Sequence, residues 1–103
     1  MVMTHEDERR SLTSIPYGQG EIKIIVAKKY CHLGDHYHKV KTESFRLING
    51  IASITINGKE RNMKLGREYI IKPNDRHLIS VANGTVISCL CSHHYDKTDD
   101  YEY

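Results

Sequence analysis

The stretch Gly34-Asp35-His36-Tyr37-His38-Lys39-Val40-Lys41-Thr42-Glu43-Ser44-Phe45-Arg46-Leu47-Ile48-Asn49-Gly50 decides the fold. Residues i and i+2 of a strand share a face. If this segment is extended, His36 and His38 project together and Tyr37 points away. Five residues on, Glu43 opens an alternating run in which Glu43, Phe45 and Leu47 share a face. With the two strands side by side, Glu43 would face both imidazoles. Thirty-four residues after Glu43, His77 begins a similar run with Ile79 and Val81. Three imidazoles and one carboxylate can then converge inside one barrel. A lone HxH pair is more often a plain strand feature than a metal site. The joint spacing of all four residues is what carries weight.

Outward from this stretch, short periodic runs recur every eight to twelve residues or so, the spacing of an all-β barrel or sandwich. Glu21 to Tyr30 reads as a strand with Ile22, Ile24 and Val26 on one face, broken at Leu33-Gly34. His36 to Val40 is a second, short strand. Asn49-Gly50 and Asn57-Gly58 are two-residue hairpin signals that call for positive φ. They flank a strand from Ile51 to Ile56, and Lys59 to Leu65 returns. Tyr69 to Ile71 is a short buried run, and Pro73-Asn74-Asp75 is a turn. Leu78 to Ala82 and Thr85 to Cys91 follow, joined at Asn83-Gly84. Residues 1–14 are polar and charged and read as a flexible N-terminal arm. Residues 15–103 read as one domain, with 92–103 a polar, aromatic tail. No stretch has the 3.6-residue periodicity of an amphipathic helix.

The chain has 103 residues, enough for one core without disulfide staples. Fifteen Lys and Arg against thirteen Asp and Glu give a net charge of +2, with no basic stripe to suggest nucleic acid. The three cysteines, Cys31, Cys89 and Cys91, are an odd count without framework spacing, so they read as buried free thiols. The N-terminal residues carry no apolar signal region, and no apolar run approaches the ~18 residues of a membrane span. A cytoplasmic setting is the expectation.

The segment Gly34-Asp35-His36-Tyr37-His38, four residues, Glu43, six residues, Gly50 resembles the first motif of the cupin superfamily. Gly66, six residues, Pro73-Asn74-Asp75-Arg76-His77 resembles the second. Asp75 stands where glycine is common, and Val81 where asparagine often closes the motif. Gly34 lies closer to the HxH pair than the family's first glycine. The resemblance implies an all-β double-stranded β-helix, the jelly-roll barrel. It also implies one divalent metal ion on His36, His38, Glu43 and His77, with manganese, iron, zinc or nickel all compatible with such donors. Four protein ligands leave an octahedral ion two open positions, as a Lewis-acid site requires. Many small cupins are dimers, so a homodimer is the implied assembly.

A fold does not fix a function. The stretch from His36 to Phe45, and more loosely the tail from Ser92 to Tyr101, resembles stand-alone cupins related to sugar and sugar-phosphate isomerases. The leading expectation is therefore a metal-dependent enzyme of isomerase or epimerase type acting on a small sugar or sugar derivative. Lys39, Arg76 and His93 are candidate catalytic residues, and Lys39, Lys41 and Arg76 could hold a phosphate or carboxylate. Surface charge is the plainer reading of each. Tyr37 is a weaker candidate because a regular strand turns it outward. An iron-dependent dioxygenase and a sugar- or metal-binding module without turnover are the alternatives.

Overall fold

The computed structural model describes residues 1–94, 96–99 and 101–102, with only the backbone of Lys97 and Glu102. The chain folds into two antiparallel sheets with no α-helix among the described residues. No described helix is long and apolar enough to cross a membrane. The strands are β1 (Met3–Glu6), β2 (Arg10–Tyr17), β3 (Gly20–Ala27), β4 (Cys31–Tyr37), β5 (Glu43–Asn49) and β6 (Ala52–Ile56). They continue with β7 (Lys59–Asn62), β8 (Glu68–Ile71), β9 (His77–Val81), β10 (Val86–Cys91) and β11 (Tyr101–Glu102). One sheet has the order β1-β2-β3-β10-β5-β8, the other β11-β4-β9-β6-β7. Their inner faces close on a core that includes Ile25, Leu33, Phe45, Ile54, Ile79 and Ile87, each at most 6% exposed.

Alternation along the strands explains which side chains meet. On β5, Glu43, Phe45 and Leu47 are buried while Arg46 and Ile48 are exposed; on β9, His77, Ile79 and Val81 are buried. Cys31, Cys89 and Cys91 are buried free thiols, as their spacing suggested.

The connections depart from the expected ones in instructive ways. Asn57-Gly58 does make the hairpin between β6 and β7, with φ of 50° and 82°. Asn49-Gly50 does not make a hairpin, because β5 and β6 lie in different sheets and the chain turns a corner there. Gly50 is required by crowding: a Cβ on it would lie 2.5 Å from Thr85 Oγ1 and 2.7 Å from Thr85 Cα. The Thr85 hydroxyl accepts from Ile51 N at 3.1 Å and donates to Ile51 O at 3.0 Å, tying that corner to the start of β10.

Residues 1–14 do not run as a loose arm. They supply β1 and the first half of β2, which pairs along all of β3. The expected break at Leu33-Gly34 is instead the middle of β4, and β4 ends at Tyr37, so His38 lies just beyond the strand. Gly34 and Asp35 have φ of 87° and 78°, and the β4–β9 register shifts between Gly34 and His36. Asp35 is the extra residue of a β-bulge. The bulge switches parity: Cys31 and Leu33 face the core before it, and His36 and His38 turn inward after it.

Candidate metal centre

The four expected ligands come from both sheets. His36 on β4 is directly opposite His77 on β9 in the five-stranded sheet. Glu43 opens β5 in the six-stranded sheet, so it faces the histidines across the barrel and not from a neighbouring strand. His38 hangs from the link between β4 and β5. The imidazoles form a compact group, with ring centroids of His36 4.6 Å from both His38 and His77, and 5.6 Å between His38 and His77. One donor atom from each of the four residues lies within 4.8 Å of all the others.

Backbone carbonyls aim the rings. His38 Nδ1 is 2.6 Å from the Asp99 carbonyl, and His77 Nδ1 is 3.4 Å from the Asp75 carbonyl. A carbonyl can only accept, so each Nδ1 carries the proton and each Nε2 presents a lone pair to the centre. His38 Nε2 and His77 Nε2 lie 3.2 and 3.4 Å from Glu43 Oε1. Buried polar atoms almost always find partners. Yet, among the described residues, His38 Nε2 and Glu43 Oε1 complete no hydrogen bond of ordinary geometry. Lone pairs converging on a shared space, with protons held on the far sides of two rings, are the arrangement a cation satisfies. The residues present therefore fit a divalent ion.

Electrostatics keep Glu43 and His77 in the forms a cation requires and push His38 toward its charged form. Burial alone would raise the Glu43 carboxyl, but the contact with His38 and the charges of Lys41 and Lys23 outweigh it and hold the group well below the usual carboxylate range. Burial lowers His77 and exceeds the pull of Glu43 upon it, so this imidazole is held neutral. For His38, burial works downward but Glu43 and the Asp99 carbonyl prevail and raise it.

The far side of Glu43 is unusual. Its Oε2 accepts from Cys89 Sγ at 3.4 Å and Cys91 Sγ at 3.8 Å, with Lys41 Nζ at 4.0 Å. The neighbouring inward residues of β3 are Glu21 and Lys23, whose Oε1 and Nζ are 3.6 Å apart. The Ser14 hydroxyl on β2 donates to Glu21 Oε2 at 2.5 Å. Glu21 and Lys41 are 5% and 4% exposed. All of these side chains except Cys91 line one cavity of about 620 Å³, with the imidazole group in its wall.

Of the three residues expected to be catalytic, none lines this cavity. Lys39 is exposed, with its ammonium 4.4 Å from the Tyr101 ring centroid. Arg76 is exposed and donates to Asp35 Oδ1 through Nε at 3.2 Å and Nη2 at 3.0 Å, which braces the bulge. His93 is exposed, with Nδ1 2.8 Å from the Ser92 hydroxyl. Lys41, whose plainer reading was surface charge, is instead buried beside Glu43. Glu21 and Lys23 are not legible as site residues from the apolar run Ile22, Ile24 and Val26 alone, which reads as the core face of β3. Those three point away from the barrel, and the polar alternation between them was the signal. Asp99 was also missed. Its Oδ1 accepts from Lys39 N at 2.8 Å and Val40 N at 3.2 Å, and its Oδ2 from Lys41 N at 3.3 Å.

Solved structures share this architecture. CapF, the capsular polysaccharide assembling protein of Staphylococcus aureus, superimposes with a TM-score of 0.80 at 18% identity, over 99% of this chain and 31% of CapF. The fold is a cupin jelly roll. CapF has also been seen with the inhibitor 3-isopropenyl-tropolone, at a TM-score of 0.83 and 19% identity. The Streptomyces protein Pac13, a nucleoside dehydratase seen with uridine, matches with a TM-score of 0.79 and 8% identity, over 99% of this chain and 84% of its own. KdgF from Halomonas sp. matches with a TM-score of 0.82 and 10% identity, over 93% and 90% of the two chains. The chain spans about a third of the length of the CapF chains it matches. No protein-family model matches the sequence, and no curated protein does.

Proposed function

We propose that this cupin is a metal-dependent enzyme that rearranges a small polar substrate, a sugar or sugar derivative, by moving a proton. The observation that carries this reading is the meeting of three imidazoles and Glu43 in the wall of the cavity, with His38 Nε2 and Glu43 Oε1 buried and without hydrogen bonds among the described residues. A divalent ion held by His36, His38, Glu43 and His77 would supply Lewis acidity to substrate oxygens. The cavity, about 620 Å³, is of the size that small-molecule sites occupy, roughly 300–1,000 Å³. Phe45 packs against His77 with 6.0 Å between ring centroids and keeps that side of the site dry. Glu43 is committed to the centre, so the proton must travel on another group. Glu21 suits that role, since it lines the cavity and its Oε1 makes no hydrogen bond among the described residues. CapF and Pac13 support a carbohydrate-bearing substrate, since one assembles a capsular polysaccharide and the other dehydrates a nucleoside.

Elemental analysis of the purified protein should give one divalent ion per chain, and His38→Ala should remove it while leaving the circular dichroism spectrum unchanged. With manganese or zinc under argon, a sugar panel in deuterated water should reveal an isomerised, deuterium-labelled product. Glu21→Gln should abolish labelling with the metal retained. Unchanged metal content in His38→Ala would refute the ligand set. Oxygen uptake with ferrous iron, and no reaction under argon, would replace the isomerase with a dioxygenase.

A further inference from the structure

A free cysteine on a core face is ordinarily a small hydrophobe. Cys31 keeps to that role, with its Sγ 3.9 Å from the Arg9 carbonyl oxygen. Cys89 and Cys91 are placed differently. As residues i and i+2 of β10 they share its inner face, and Glu43 on β5 lies opposite Cys91 in the register. The two sulfurs are 3.5 Å apart, and Glu43 Oε2 lies 3.4 Å from Cys89 Sγ and 3.8 Å from Cys91 Sγ. All three residues are at most 4% exposed. Two thiols and one carboxylate oxygen thus close a small buried triangle.

The edges of that triangle match the face of a coordination tetrahedron. A tetrahedral zinc ion, with bonds of about 2.3 Å to sulfur and about 2.0 Å to oxygen, spaces its sulfurs roughly 3.8 Å apart and each sulfur roughly 3.5 Å from the oxygen. Thiolate donors select ions of this soft kind over hard ones. Binding releases the two thiol protons to solvent. Two thiolates and a carboxylate then outweigh a divalent ion by one negative charge, and Lys41 Nζ, 4.0 Å from Glu43 Oε2, faces it. Cys89 lines the cavity, so an ion reaches the pair from that side, where there is room for a fourth donor.

We propose that Cys89, Cys91 and Glu43 Oε2 form a second metal site, for a thiophilic divalent ion of the zinc class, back to back with the imidazole centre. Glu43 is the one residue the two donor sets share: its Oε1 faces His38 and His77, and its Oε2 faces the thiols. A carboxylate used in this way bridges a two-ion site. The inference does not rest on the metal-dependent reading above, because neither thiol belongs to the imidazole group.

The probe is cadmium, which shares zinc's preference for thiolates and reports sulfur bonds by charge-transfer absorption in the ultraviolet. The purified protein, kept reduced and with its metal content measured, is incubated with cadmium and desalted. Total metal should rise by one equivalent per chain, together with the sulfur-to-cadmium absorption that imidazole and carboxylate donors do not give. Cys89→Ala and Cys91→Ala should each lose the added equivalent, while Cys31→Ala should keep it. If either alanine variant fails to fold, as its circular dichroism would show, the serine variant of the same cysteine takes its place. No added equivalent in the parent, or one without the absorption, overturns the second site. So does an absorption that survives the loss of Cys89 and of Cys91, or one that disappears with Cys31. His38→Ala should keep the absorption, and an absorption that needs His38 overturns the separate site. Cadmium bound by the thiols of a chain whose imidazole group holds no ion supports the second site and defeats the metal-dependent reading. An ion on the imidazole group with no uptake by the thiols does the opposite.

Discussion

Asp99→Ala should loosen the centre without touching any ligand. In the parent, one carboxylate accepts from three successive backbone N–H groups, those of Lys39, Val40 and Lys41. The same residue's carbonyl lies 2.6 Å from His38 Nδ1. Burial works to raise the Asp99 carboxyl, and the N–H groups of Lys39, Lys41 and Val40 outweigh it, so the carboxylate is charged at neutral pH. This is the capping of a helix N-terminus applied to a loop, and truncating such a cap costs about 2 kcal/mol. For a domain of this size each kcal/mol lowers Tm by roughly 5 °C, so the fall should be about 10 °C. The second effect is on the metal. Alanine keeps the residue-99 carbonyl but frees the segment that aims it at His38 Nδ1, and loosening the support behind a ligating histidine typically costs about tenfold or more in affinity. Thermal unfolding followed by circular dichroism, and zinc competition against a chromophoric chelator, measure the two effects. Asp99→Asn retains one acceptor oxygen and should fall between parent and alanine variant. A Tm and zinc affinity indistinguishable from the parent would refute the placement of this residue behind His38.

Gly50→Ala should cost about 3 kcal/mol, since the φ of 99° strains an L-residue and the new methyl meets Thr85 at 2.5 Å. Gly58→Ala, also at positive φ but with nothing within 4 Å, should cost only about 1 kcal/mol; equal losses in urea titrations would dismiss the crowding argument. The depressed Glu43 carboxyl stabilises the metal-free protein above the unfolded value near 4.3 and loses that contribution as the pH falls through its folded value. The stability gap between parent and Glu43→Gln should therefore narrow below about pH 4; a gap that stays constant to pH 2 would contradict the depressed value.

The placement of strands was partly legible and partly not. Alternation identified the inward faces of β5 and β9, because both pack on the core and obey period two. It misjudged β3, where Ile22, Ile24 and Val26 point away from the barrel and Glu21 and Lys23 line the cavity. Functional sites are where local pattern and global fold part company, because a cavity needs polar groups where a core needs apolar ones. The corner at Asn49-Gly50 was read as a hairpin for a related reason. An Asn-Gly pair signals positive φ, and only the crowding at Thr85 shows whether φ serves a hairpin or a close approach.

The sequence by itself determined the jelly roll and the four residues of the candidate centre, since strand parity and motif spacing are local properties of the chain. It did not contain the arrangement that makes them a centre. The Asp35 bulge flips the parity of β4 so that His36 and His38 turn inward, and that depends on pairing with β9. Glu43 reaches the histidines across the barrel, from the other sheet. Asp99 supports His38 from 61 residues away in sequence, and Glu21 lines up with Glu43 only when β3 and β5 flank β10, each opposite Cys91. These are contacts between segments whose sequences carry no mark of each other, so only the closed barrel decides them.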